Sequence, residues 1–167
     1  NLRNLVDGDF KIVPAELATL RRLCEAAAVA PETADLIATG LQAAWQPSAG
    51  GAQSAGATTA LPPHQLMQLV WLGVDEDSIK RLQPLVSLLP EPTTLNLNTA
   101  SREVLAAVVP GLDSGSAQRI VQQVQREYFK SLDKARAYIP EESALDPKRL
   151  GVSSNYFEIT GRLRLEG

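Results

Sequence analysis

One cysteine and one histidine are all that this 167-residue chain has of the side chains that most often ligate soft metals or carry nucleophilic chemistry. Cys24 alone excludes an intrachain disulfide, and Cys24 with His64 leaves no cluster from which a zinc site could be assembled. Leu17, Leu20, Cys24 and Ala27 fall at helical spacing, which makes Cys24 a small core residue. His64 follows Pro62-Pro63 at an expected helix start and has no partner for acid–base work. Aromatics supply only 5% of the chain beside many Ala and Leu, a balance that favours helices. Positive charge is also short: a net charge of −3 and a pI of about 5.2 exclude a chain-wide attraction to nucleic acid or anionic lipid. No run of about 18 or more apolar residues occurs, so no membrane-spanning segment is expected, and the opening residues lack a signal-peptide pattern.

What is there reads mainly as helix. Pro14 to about Ala28 carries Leu17, Leu20, Leu23 and Cys24 on one face, with Pro14 tolerated in the first turn. A second helix from Pro31 has Glu32 and Asp35 in its acidic first turn and Leu36, Ile37, Leu41, Ala44 and Trp45 on its buried side, with Gly40 a weak point in its middle. Residues 47–63 contain only small and turn-prone residues and read as a flexible loop with no carboxylate to hold a hard cation. Helical pattern resumes with Leu66, Leu69 and Val70, breaks at Gly73, and restarts where Asp75 can cap a helix containing Ile79 and Leu82. The run Asp75, Glu76, Asp77 is accounted for by the helix dipole. Trp45 and Trp71 are expected as core anchors, and Leu85 to Leu89 as a buried helical turn.

The most patterned stretch is Leu95 to Ile120. Asn98 or Thr99 can cap a helix whose Val104, Leu105, Val108 and Val109 share a face; Pro110-Gly111 breaks it, and a second helix starts near Asp113 or Ser114. That second helix uses Ala117, Ile120, Val121, Val124 and Tyr128 inward, and a short helix capped by Ser131 follows, with Leu132, Ala135 and Tyr138 inward. Glu127, Asp133, Glu141 and Glu142 are acids without a spacing that singles out a catalytic pair, so solvated helix faces account for them. No catalytic residue, cofactor or metal site is expected.

At the end of the chain the period changes. Phe157, Ile159, Leu163 and Leu165 alternate with Glu158, Thr160, Arg162 and Arg164, the pattern of a half-buried strand. One strand cannot satisfy its backbone alone, and only residues 1–6 offer a second strand end. The fold expected is therefore mainly α (α+β): 1–8 as a strand end, 9–152 as an inserted helical domain, and 153–167 as a strand of a truncated antiparallel sheet. The opening Asn1-Leu2-Arg3-Asn4-Leu5-Val6 reads as an internal segment of a longer protein.

Two resemblances meet in the hairpin. Asn98-Thr99-Ala100, Pro110-Gly111, Ala117-x-x-Ile120 and Phe129-Lys130-Ser131-Leu132 resemble helix-hairpin-helix (SAM-like) DNA-binding modules. In those modules a second glycine, two positions after the first, lets backbone N–H groups approach a phosphate; here that position is Asp113, whose charge would repel it. The broader resemblance, over about 150 residues, is carried by the opening Asn-Leu-x-Asn-Leu, Gly73-Val74, Leu82-Gln83-Pro84-Leu85-Val86, Leu88-Leu89-Pro90 and Leu95-Asn96-Leu97-Asn98-Thr99-Ala100. In that order these motifs resemble type II (general) secretion pathway protein K, the large minor pseudopilin of Gram-negative bacteria, nearest its pseudomonad members.

The family resemblance implies a pilin-like antiparallel sheet with a large inserted helical domain, and an N-terminal helix anchoring the full-length protein in the inner membrane. It further implies a periplasmic place at the pseudopilus tip beside the minor pseudopilins I and J, with the other pseudopilins nearby, and a role in export of folded proteins. Relatives carry an acidic segment after the tryptophan that is associated with calcium. Here Trp45 is followed by Gln46-Pro47-Ser48-Ala49-Gly50, so no calcium is expected. Asn98, Thr99, Pro110 and Gly111 then read as residues shaping an interior scaffold.

Overall fold

The helical spacing is realised as two successive groups of short helices in a computed structural model of the chain, which describes residues 1–46, 61–140, 145–159 and 161–164. The first group comprises a 3-10 helix Leu2–Leu5, α1 (Pro14–Ala26), α2 (Glu32–Trp45), a second 3-10 helix Leu66–Leu72 and α3 (Glu76–Leu82). The second comprises β1 (Leu95–Asn96), α4 (Arg102–Val108), α5 (Ser114–Arg126), α6 (Leu132–Arg136) and β2 (Leu150–Gly151). The fold is mainly α with one small sheet.

Each group has its own core. Leu5, Cys24, Ile37, Leu41, Leu69, Ile79 and Leu82 close the first, and Leu97, Leu105, Val109, Ile120, Phe129 and Leu150 the second. Burying each large aliphatic side chain contributes about 1.5–3 kcal/mol. α1 and α4 join the two through a smaller cluster of Leu23, Val104 and Ala107. β1 and β2 pair in parallel, Leu95 with Leu150 and Asn96 with Gly151, so the segment after α6 is tied back to the start of the hairpin.

Several expectations are corrected. The strand end over residues 1–6 is a 3-10 helix capped by the Asn1 side chain, with a single antiparallel bridge from Val6 to Ile12. Among the described residues the C-terminal alternating segment makes no ladder, because no second strand lies beside it, and Phe157, Ile159 and Leu163 are 83, 92 and 89% exposed. Leu36 and Trp71 are exposed rather than buried: the helix after residue 65 is 3-10 and turns Trp71 outward, and Leu36 lies on the open side of α2. Leu85 to Leu89 runs as a half-buried irregular segment and not as a helical turn. α5 ends at Arg126, which leaves Tyr128 outside, while Tyr138 lies partly exposed against Phe129 with ring centroids 5.5 Å apart. Of the loop expected over 47–63, residues 47–60 lie outside the described residues, as do Glu141 and Glu142.

Candidate functional site

In the hairpin, α4 is capped by Ser101, whose hydroxyl accepts from Val104 N, and not by Asn98 or Thr99. Asn98 has another task. Its Nδ2 donates to Phe129 O at 2.9 Å and to Val152 O at 2.8 Å, while its Oδ1 accepts from Phe129 N at 2.7 Å. One carboxamide thereby fastens the entry of the hairpin to the segment after α5 and to the residue that follows β2. Thr99 turns the chain, its N–H bonded to Asn96 O at 3.2 Å. α4 ends at Val108; Pro110 has no N–H to continue it, and Gly111 adopts φ +75°, a left-handed conformation that costs glycine little.

Asp113 then caps α5. Its Oδ1 accepts from Gly115 N at 2.8 Å and Ser116 N at 2.9 Å, its Oδ2 from the Ser116 hydroxyl at 2.6 Å, and Arg119 donates to that same hydroxyl at 2.7 Å. The Ser116 hydroxyl, then the backbone N–H groups, hold the carboxyl below the ordinary aspartate value. The N–H groups that would meet a phosphate in a DNA-binding hairpin are thus already occupied by an anion belonging to the chain.

Between the two helical groups lies a cleft of about 550 Å³, whose walls include Leu20, Leu23, Leu95 and Val104 and, on the polar side, Asn4, Thr93, Asn96 and Arg149. Arg149 crosses it: Nε lies 2.6 Å from Glu16 Oε1, Nη2 donates to Thr19 Oγ1 at 2.8 Å and Nη1 to Val108 O at 3.3 Å. Arg22 adds a bond from α1 to Ala107 O at 2.8 Å. Asn4 and Thr93 exchange two further bonds, Nδ2 to Thr93 O at 2.8 Å and Thr93 N to Oδ1 at 3.0 Å. These polar ties went unread in the sequence because their partners lie far apart along the chain and no local spacing connects them.

None of this resembles a poised reactive centre. Cys24 is fully buried, and burial pushes its thiol up to about 11. Glu16 is held by Arg149, and Glu127 and Asp133 lie exposed at the end of α5 and on α6. Among the described residues no group of three or more His, Cys, Asp or Glu could hold a metal ion, and no helix is long and apolar enough to cross a membrane. Asp75 caps α3 by accepting from Ser78 N at 2.9 Å, which accounts for the head of the acidic run.

Two family models for type II secretion system (T2SS) protein K match the chain, one over residues 1–91 and the other over 95–153. Their boundary falls where the first hydrophobic core gives way to the second. The type II secretion system protein K of Pseudomonas aeruginosa (strain PAO1) is 36% identical over 99 residues, which cover 59% of this chain. The match spans 29% of that relative's length. With family models matching in succession across both cores, one of them over more than half of the residues, the chain belongs to the type II secretion system protein K family.

Proposed function

We propose that this component of the type II secretion machinery is a structural minor pseudopilin that caps the tip of the periplasmic pseudopilus and performs no chemistry itself. The observation that carries the reading is the C-terminal segment, where Phe157, Ile159 and Leu163 alternate with Glu158, Arg162 and Arg164 and stand almost fully exposed. An apolar row of this length requires a sheet to cover it, as it would have if 153–167 were a strand beside which the helical domain is inserted. Residues 1–8 would bring the chain into that domain, and 9–152 would form it. Its bulk then acts sterically: a domain wider than the sheet below it leaves no room for another subunit to stack on top.

The partners in this reading are the minor pseudopilins I and J and, through them, the other pseudopilins; the full-length protein would be periplasmic and tethered to the inner membrane by its N-terminal helix. Nucleic acid is not among the partners, since Asp113 fills the phosphate position. A titration with duplex DNA at low salt should therefore show no binding that weakens as salt rises. The capping claim itself is tested by gold-labelling the protein on isolated pseudopili. Label at one end of each filament is expected, and label distributed along the filaments would rule capping out.

A further inference from the structure

The chain crosses from the first helical group to the second at one residue. Up to Thr93 it is fastened to the first group: Asn1 Oδ1 accepts from Leu89 N at 3.2 Å, Asn1 Nδ2 donates to Glu91 O at 2.8 Å, and Asn4 holds both backbone groups of Thr93. From Leu95 it is fastened to the second, since Leu95 N donates to Arg149 O at 2.8 Å beside the pairing of β1 with β2. Thr94, between them, is exposed and takes part in no hydrogen bond among the described residues. Hinges are built in this way, from a residue or two at the end of an element whose dihedrals no partner fixes.

Little else joins the groups. The buried part of their apolar seam is Leu23, Val104 and Ala107. Residues 156–158 line the cleft of about 550 Å³ but form no hydrogen bond with the first group among the described residues. Every hydrogen bond across the seam, among the described residues, comes from two guanidinium groups. Arg22 of α1 donates to Ala107 O, and Arg149 of the second group reaches Glu16 and Thr19 of α1. The two converge on the Thr19 hydroxyl, which accepts from Arg149 Nη2 at 2.8 Å and from Arg22 Nη2 at 3.3 Å on a residue only 4% exposed. Through Ala107 O and Val108 O they also hold carbonyls at the C-terminal end of α4, which lack intrahelical partners and favour a cation. A small seam closed by charged hydrogen bonds, beside an open cleft, permits rigid-body movement of the parts it joins.

We propose that the two helical groups are rigid bodies that swing about Thr94, and that Arg22 and Arg149 form a clasp holding them closed over the cleft. Release of the clasp widens the cleft and leaves each core intact. This device goes beyond the tip-capping role and does not depend on it.

The test is distance measurement between pairs of spin labels on the 167-residue chain. Glu32→Cys on α2 with Gln122→Cys on α5 reads across the seam, while Glu32→Cys with Lys80→Cys, and Gln122→Cys with Asp133→Cys, read within each group. All four positions are exposed, and Cys24, fully buried, stays unlabelled. The parent should give one narrow cross-seam distribution. Arg149→Lys keeps the charge but lacks the fork that joins Glu16 to Thr19, so it should add a second, longer population to the cross-seam pair and leave the within-group pairs unchanged. Arg22→Met/Arg149→Met should enlarge that population, and so should Thr94→Gly in the Arg149→Lys background, because glycine frees the pivot. An unchanged cross-seam distance in Arg149→Lys would overturn the proposal, since the apolar seam alone would then fix the angle; two populations in the parent would overturn it as well. Broadening of the within-group pairs in Arg149→Lys would mean that the arginine supports a core and is no clasp. No response to Thr94→Gly would contradict the hinge.

Discussion

Asn98 and Phe129 are joined by a reciprocal pair of hydrogen bonds, Nδ2 to the Phe129 carbonyl at 2.9 Å and the Phe129 N–H to Oδ1 at 2.7 Å. The same Nδ2 also reaches Val152 O, so this one side chain completes the backbone hydrogen bonding of two segments that the hairpin itself leaves unpaired. Replacing it by alanine strands those groups beside the buried Phe129. Asn98→Ala should destabilise the chain by about 2–4 kcal/mol in chemical denaturation. Asn98→Asp, which can still accept from Phe129 N but sets a carboxylate oxygen against the Phe129 and Val152 carbonyls, should cost at least as much as alanine at neutral pH.

The Arg149–Glu16 pair makes a different kind of tie, because its side chains are each only 18% exposed and belong to different helical groups. Removing one partner leaves the other charge poorly solvated, so Glu16→Gln or Arg149→Met should each cost about 2–3 kcal/mol. The double variant should cost less than the sum of the singles. A double-mutant cycle measured by urea unfolding checks this, and additive losses would mean that the two residues act separately.

Asp113 and Asp75 are both held below the ordinary aspartate value, chiefly by the hydroxyls of Ser116 and Ser78 and then by backbone N–H groups. Because the folded-state value is the lower one, their stabilisation is complete above the ordinary aspartate range and is lost as pH falls through the folded value. Asp113→Asn should therefore show a shallower loss of stability on acidification than the parent. A carboxyl-carbon NMR titration of the parent should place the Asp113 midpoint below that of an unfolded-peptide control.

Ala28 follows α1 in a left-handed conformation, φ +54°, while Val29 N bonds back to Cys24 O at 2.8 Å. Helix ends of this kind favour glycine at the left-handed position. Ala28→Gly should stabilise the chain by about 1 kcal/mol, since relief of the backbone strain exceeds the added freedom of the unfolded chain. Thermal unfolding reads the sign directly.

Local periodicity carried most of the helical architecture into view. The spacing of Leu20, Leu23 and Cys24, the break at Pro110-Gly111 and the caps at Asp75 and Asp113 are all signals contained within a few residues, and the structure places α1, α3, α4 and α5 accordingly. Apolar character alone did not distinguish a 3-10 helix from an α-helix over Leu66–Leu72, and for that reason Trp71 and Val70 were expected inside. At the hairpin entry Asn98 or Thr99 is the cap that the sequence offers, and Ser101, two positions after Thr99, takes that role. The hydrogen bonds of Asn98 to residues 31 and 54 positions away decided the matter in favour of Ser101. Arg149 and Glu16, separated by 133 positions, illustrate the remainder: tertiary pairing leaves no mark on the local pattern.

The assembly role is tested most directly by native mass spectrometry of the longer protein, with its sheet and most of its N-terminal helix present, mixed with the minor pseudopilins I and J. The account predicts one species containing all three chains. A spectrum with the I and J pseudopilins together and this protein free would contradict it.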